Sequence, residues 1–120
     1  MVYVAESQAL AVLEVLAHLD STALLEKYVL IQVAFDTSMV DDVDRSNLPK
    51  NWRDDPAPAE VQAIGDRWAA AGTSLALRVP SALVPGESNF LLNPQHSDFK
   101  TLKISKPLPF LFDPRFREQR

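Results

Sequence analysis

The chain of 120 residues contains no cysteine. That excludes a disulfide framework, a thiolate nucleophile and any Cys-based zinc site, and a reducing cytoplasm is the expected location. Histidine is nearly as scarce, with His18 and His96 alone. They form no paired-histidine helix motif, and no metal is expected. The three glycines, Gly65, Gly72 and Gly86, stand far apart. A Gly-rich phosphate loop of the dinucleotide or P-loop kind is therefore excluded. A Gly-x-Ser-x-Gly nucleophile elbow is also lacking. No apolar run is long enough to span a bilayer, so no membrane role is expected. The opening residues Met1 to Glu6 lack the basic stretch of a secretory leader. Positive charge is not in excess either. The net charge is −4, which disfavours a polyanion-binding surface and direct nucleic-acid contact. The locally basic end, Arg115 to Arg120, reads as a solvated tail.

What is present is globular: 47% apolar and 23% charged residues, in a length suited to one domain over 1–120. Tyr3-Val4-Ala5 reads as the end of a strand that begins abruptly, as if an earlier segment belonged before it. Ser7 is placed to cap a helix from Gln8 to about Leu19. Leu10, Leu13 and Ala17 form its apolar stripe, with Glu14 inside the stripe and His18 one turn further on the same side. Residues 28–35 form a nearly continuous β-rich apolar run, read as a central strand. Residues 36–55 are acidic and irregular, and read as a long loop or a set of turns; their acids either hold a metal or, the simpler reading, are solvated. A second helix is expected from Asp55-Pro56 through Val61, Ile64 and Trp68 to a left-handed cap at Gly72. Short strands follow at Leu75–Val79, Asn89–Leu92, Leu102–Ile104 and Phe110–Phe112. Two helices on a mixed sheet make an α+β fold rather than a doubly wound one.

Some of these residues carry chemistry. Glu14 is a carboxylate on an apolar helical face, where acids are seldom placed unless paired or functional. It is either aimed into a cleft or paired internally, for example with His18 or an arginine. Ser81 follows Val79-Pro80 at a strand end, where it either faces a ligand or closes an ordinary turn. Tyr3 lies eleven residues before Glu14 and either lines the same cleft or packs at the edge of the core. His96, within Asn93-Pro94-Gln95-His96, reads as a loop-ordering histidine. Asn89 reads equally as a turn residue or a polar cleft residue.

Taken in order, these strings resemble the RES domain family. Tyr3-x-Ala5-Glu6-Ser7 leading into Ala11-x-x-Glu14-x-x-x-His18 resembles the opening of that domain. Gly65-Asp66-Arg67-Trp68 resembles its next helix. Val79-Pro80-Ser81, followed by Asn89, Asn93-Pro94 and His96-x-x-Phe99, resembles its central block, and Phe110 to Arg115 its closing strand. The family is named for an Arg, a Glu and a Ser. Glu14 and Ser81 match the last two. The Arg belongs upstream of the Tyr3 strand, and none of Arg45, Arg53, Arg67, Arg78 or Arg115 stands in that context. The resemblance therefore implies a domain without its Arg-bearing first segment.

The resemblance implies a fold similar to that of ADP-ribosyltransferases. It also implies a toxin of a bacterial toxin–antitoxin pair that consumes NAD⁺ by breaking the nicotinamide–ribose bond, through hydrolysis or phosphorolysis. NAD is then the substrate, phosphate a possible co-substrate, and a helix-turn-helix, Xre-like antitoxin the expected partner. On this reading Glu14, Ser81 and Tyr3 carry catalysis, while Tyr3, His18 and Asn89 contact NAD. The alternatives are mono-ADP-ribosylation of a cellular protein, or a decayed toxin that still binds its antitoxin. The open first strand would also permit association through the sheet edge.

Overall fold

The computed structural model describes residues 1–18 and 28–117. A four-stranded mixed sheet organises the fold, in the order β1-β6-β5-β4. Strand β1 is Val2–Ala5, β4 is Val40–Asp42, β5 is Ala76–Pro80 and β6 is Ser88–Leu92. Strands β1, β6 and β5 pair antiparallel, while β4 pairs parallel to β5. Helix α1 spans Gln8–His18 and α2 spans Ala59–Ala71. The fold is α+β, as the sequence implies.

Local chemistry explains most of the boundaries. The Ser7 hydroxyl accepts from the Leu10 amide at 3.1 Å, capping α1 as expected and stabilising it by about 1 kcal/mol. Gly72 closes α2 with φ of 65°, and its N–H bonds the Trp68 carbonyl. Strands β5 and β6 are joined by Val84-Pro85-Gly86-Glu87. Pro85 stands second, Gly86 third with φ of 87°, and Glu87 N donates to Val84 O at 3.2 Å. Those are the marks of a type II turn, whose third position requires positive φ.

Four expectations need correction. The run 28–35 is not a central strand. It divides into β2, Val29–Leu30, and β3, Val33–Ala34, which form separate two-stranded ribbons with β8, Leu108–Pro109, and β7, Lys103–Ile104. Val29 and Ile31 are exposed, so apolar content alone misplaced the segment. The acidic stretch is not merely a loop, because it carries β4 into the main sheet. There Asp42 meets Arg78 at 3.4 Å, while Asp44 accepts from the Ser46 amide. Helix α2 begins at Ala59, not at Asp55-Pro56. Asp55 and Ala57 each precede a proline and are driven out of helical geometry, so the first helical turn falls after Pro58. The last strand is 108–109 rather than 110–112; Phe110, Phe112 and Tyr28 instead pack edge to face.

Among the described residues the buried apolar core comprises Leu10, Trp68, Leu75, Ala76, Leu77, Leu92 and Phe112. Buried aliphatic side chains of this kind each stabilise the fold by about 1.5–3 kcal/mol. Trp68 brings a polar edge inside, and its indole N–H donates to Ser74 Oγ at 2.8 Å. The buried Asn93 ties the end of β6 to α2, donating to the Ala69 carbonyl at 3.0 Å. A Cβ on Gly65 would come within 3.3 Å of Leu91, so this glycine lets α2 approach the sheet closely. No helix among the described residues is long and apolar enough to cross a membrane.

Candidate active site

Beside the edge strand β1, a cleft of about 660 Å³ opens between α1, the ends of β1 and β6, and the segment 29–35. That volume lies within the range of small-molecule sites. The capping of α1 by Ser7 sets the angle at which the helix leaves β1. The β1 end is fixed further by Glu6, whose N–H donates to Ser88 O at 3.1 Å and whose carboxylate accepts from Ser88 N. Ala11, Glu14 and Val15 form the face of α1 that lines the cleft. This differs from the predicted stripe: Leu10 is buried, but Leu13 and Ala17 are exposed. Glu14 is thus half-buried on the cleft side.

At the inner end of the cleft, one amide joins three elements. Asn89 of β6 is fully buried, and its Nδ2 donates both to the Tyr3 hydroxyl oxygen, at 2.9 Å, and to Glu14 Oε2, at 3.1 Å. Strand pairing sets Ala5 opposite Asn89 and Tyr3 opposite Leu91. Tyr3 and Asn89 therefore share a face of the sheet, two residues out of step. The arrangement leaves the Tyr3 O–H hydrogen and Glu14 Oε1 without hydrogen-bond partners among the described residues. The site thus presents one donor and one acceptor side by side. Tyr3 is 56% exposed as a residue, yet partial burial of its phenol raises its pKa above the ordinary value. The neighbouring Glu14 carboxylate raises it further, and the Asn89 bond lowers it in part.

The other residues singled out in the sequence lie apart from this cluster. Ser81 is buried at the end of β5, where its Oγ accepts from the amides of Leu83 at 3.1 Å and Val84 at 3.0 Å. It organises the turn leading to Asn89 and makes no hydrogen bond to Glu14. His18 is exposed in the last turn of α1 and does not line the cleft. The extension of that helix to Leu19 lies outside the described residues. His96 Nδ1 accepts from the Asp98 amide at 3.0 Å, and the Asp98 carboxylate lies 3.9 Å from the same nitrogen, so this histidine orders its own loop. No Lys or Arg among the described residues lines the cleft, and no cluster of His or acidic residues among them is arranged to hold a metal ion.

Periodicity missed the floor of the cleft. Phe90 packs edge to face on Phe35 at 5.5 Å, and the Arg78 guanidinium stacks over Phe90, also at 5.5 Å. Phe35 sits at the end of a run read as core, so the sequence held no sign that it faces a cleft.

Comparison with known proteins gives the family. The family model described as "RES domain" matches residues 1–113. Toxin Res of Yersinia enterocolitica is 44% identical over 117 residues, covering 97% of this chain and 77% of that protein. Toxin Res of Photorhabdus laumondii is 40% identical over 116 residues, covering 95% and 74%. The Prs ADP-ribosylating toxin of a Sphingobium species is 36% identical over 118 residues, covering 96% and 73%. The chain belongs to the RES domain family.

Proposed function

We propose that this protein is a toxin of a bacterial toxin–antitoxin pair that consumes NAD⁺ at the Tyr3–Glu14–Asn89 cleft, breaking the nicotinamide–ribose bond. The observation that carries the reading is the Glu14 carboxylate, half-buried and aligned by a fixed amide beside a phenol hydroxyl. Cleavage of an N-glycosidic bond passes through an oxocarbenium-like state, with positive charge growing on the ribose ring. A carboxylate already oriented there stabilises that charge, while its free oxygen accepts from a ribose hydroxyl. The Tyr3 O–H, its own oxygen occupied by Asn89, is left to donate to a substrate oxygen. As the carbon–nitrogen bond breaks, its electron pair goes to the nicotinamide ring, which leaves neutral. Water, releasing a proton to solvent, or phosphate then supplies the oxygen that bonds the ribose carbon. Ser81 serves by holding the turn from which β6 and Asn89 start. His18 is the least supported of the expected NAD contacts.

A second reading is transfer of ADP-ribose to a protein, favoured by the name of the Sphingobium relative. It uses the same bond cleavage with a protein nucleophile in place of water. The expected partner is a cognate helix-turn-helix antitoxin, and the reading requires no metal. Product analysis separates the chemistries: free ADP-ribose indicates hydrolysis, its phosphate indicates phosphorolysis, and a labelled protein indicates transfer. Intact NAD⁺ after incubation with folded protein, in all three assays, would contradict the proposal.

A further inference from the structure

We infer that Asn89 is a positioning residue: a single buried amide in β6 fixes the distance between the Tyr3 hydroxyl and the Glu14 carboxylate. The inference rests on the reading of Tyr3 and Glu14 as the reacting pair. The two amide hydrogens lie in one plane at a fixed angle. Donated to oxygens on β1 and α1, they set where those oxygens stand relative to each other.

Helix α1 needs such a tether. Among its described residues only Leu10 is fully buried; Ala11, Val12, Val15 and Leu16 are half-buried, and Leu13, Ala17 and His18 are exposed. Apolar contact of this kind holds the helix against the sheet without fixing its rotation, and a displacement of one or two ångströms would carry Glu14 out of register with Tyr3. Tyr3, on an edge strand with an exposed ring, is equally short of packing.

A second observation indicates that the amide is not there for stability. Asn89 Oδ1 is buried and has no hydrogen-bond partner among the described residues. An orphaned buried acceptor destabilises a fold, and an apolar side chain of similar size would avoid it. The titratable groups facing the amide are Tyr3 and Glu14, with Glu6 further along the same cleft and no cation among its described lining.

The test uses the whole chain in a Tyr28→Phe background, which makes Tyr3 the sole tyrosine and its phenolate absorbance a direct readout. Asn89→Leu removes the donated bond, and Asn89→Asp removes it nearly isosterically while adding negative charge. Both are expected to raise the Tyr3 titration midpoint, Asn89→Asp the more. Asn89→Leu is expected to leave the thermal midpoint close to that of the parent. In both, kcat for NAD⁺ cleavage falls roughly 10- to 100-fold with little change in KM. If Asn89→Leu does not fold, Asn89→Asp carries the same readout. A folded variant whose Tyr3 midpoint and kcat both match the parent overturns the inference. Variants that shift the Tyr3 midpoint, together with a folded parent that leaves NAD⁺ intact, sink the functional reading and keep the tether. Cleavage by the parent with an unmoved midpoint does the reverse.

Discussion

Asn89 and Glu14 are separated by 75 positions in the chain, yet the amide of one lies 3.1 Å from the carboxylate of the other. Three local contacts hold the elements that make that approach. Ser7 caps α1, Glu6 clamps β1 to β6, and Ser81 shapes the turn from which β6 departs.

The Tyr3 hydroxyl gives a pH signature. Burial first, then the Glu14 carboxylate, raise its pKa in the folded state above the ordinary tyrosine value. The folded protein thus keeps a proton that the unfolded chain gives up. Stability is therefore unaffected below the unfolded value and falls as pH rises through the ordinary tyrosine range toward the folded pKa. Denaturant titrations across that range should show the decline in the parent and a flatter profile in Tyr3→Phe. The same substitution should reduce NAD⁺ cleavage about tenfold or more by removing the donor.

Ser81→Ala separates a turn role from a chemical one. Removing Oγ strands the Leu83 and Val84 amides and should cost about 1–3 kcal/mol, read as a lower thermal midpoint. Activity measured well below that midpoint should fall far less than in Glu14→Gln. Equal losses of activity in the two variants would place Ser81 on the substrate.

The predicted cost of Trp68→Phe is about 2 kcal/mol, from lost volume and the lost bond to Ser74, with NAD⁺ kinetics of the folded fraction unchanged. Chemical denaturation of both proteins checks it. A drop in kcat without loss of stability would mean that α2 communicates with the cleft.

The sequence made the fold class legible, along with both helices, the Ser7 cap of α1, the Gly72 cap of α2 and the strands β1, β5 and β6, because each carries a local signature: a capping serine, a left-handed glycine, a short β-rich run; Pro80, which ends the expected strand at Val79, is itself the last residue of β5. It revealed Glu14 as an acid on the wrong face. It did not reveal that Leu13 and Ala17 point outward, since helical spacing says which residues share a face but not which neighbour covers it. Strand β4 stayed hidden because Val40-Asp41-Asp42 is too short and too acidic to read as a strand; its place comes from pairing with β5 and from Arg78. Asn89 remained ambiguous because its significance is a contact between two distant elements. Ser81 had a turn reading from the start, and the hydroxyl geometry has the form of that turn.

The most direct test of the account is NAD⁺ consumption by purified protein, at substrate well above its Kd, comparing the parent with Glu14→Gln. The account predicts nicotinamide release by the parent and a loss of about 100-fold or more in the variant, with the thermal midpoint little changed. Equal rates in the two proteins, or no release by a folded parent, would contradict it.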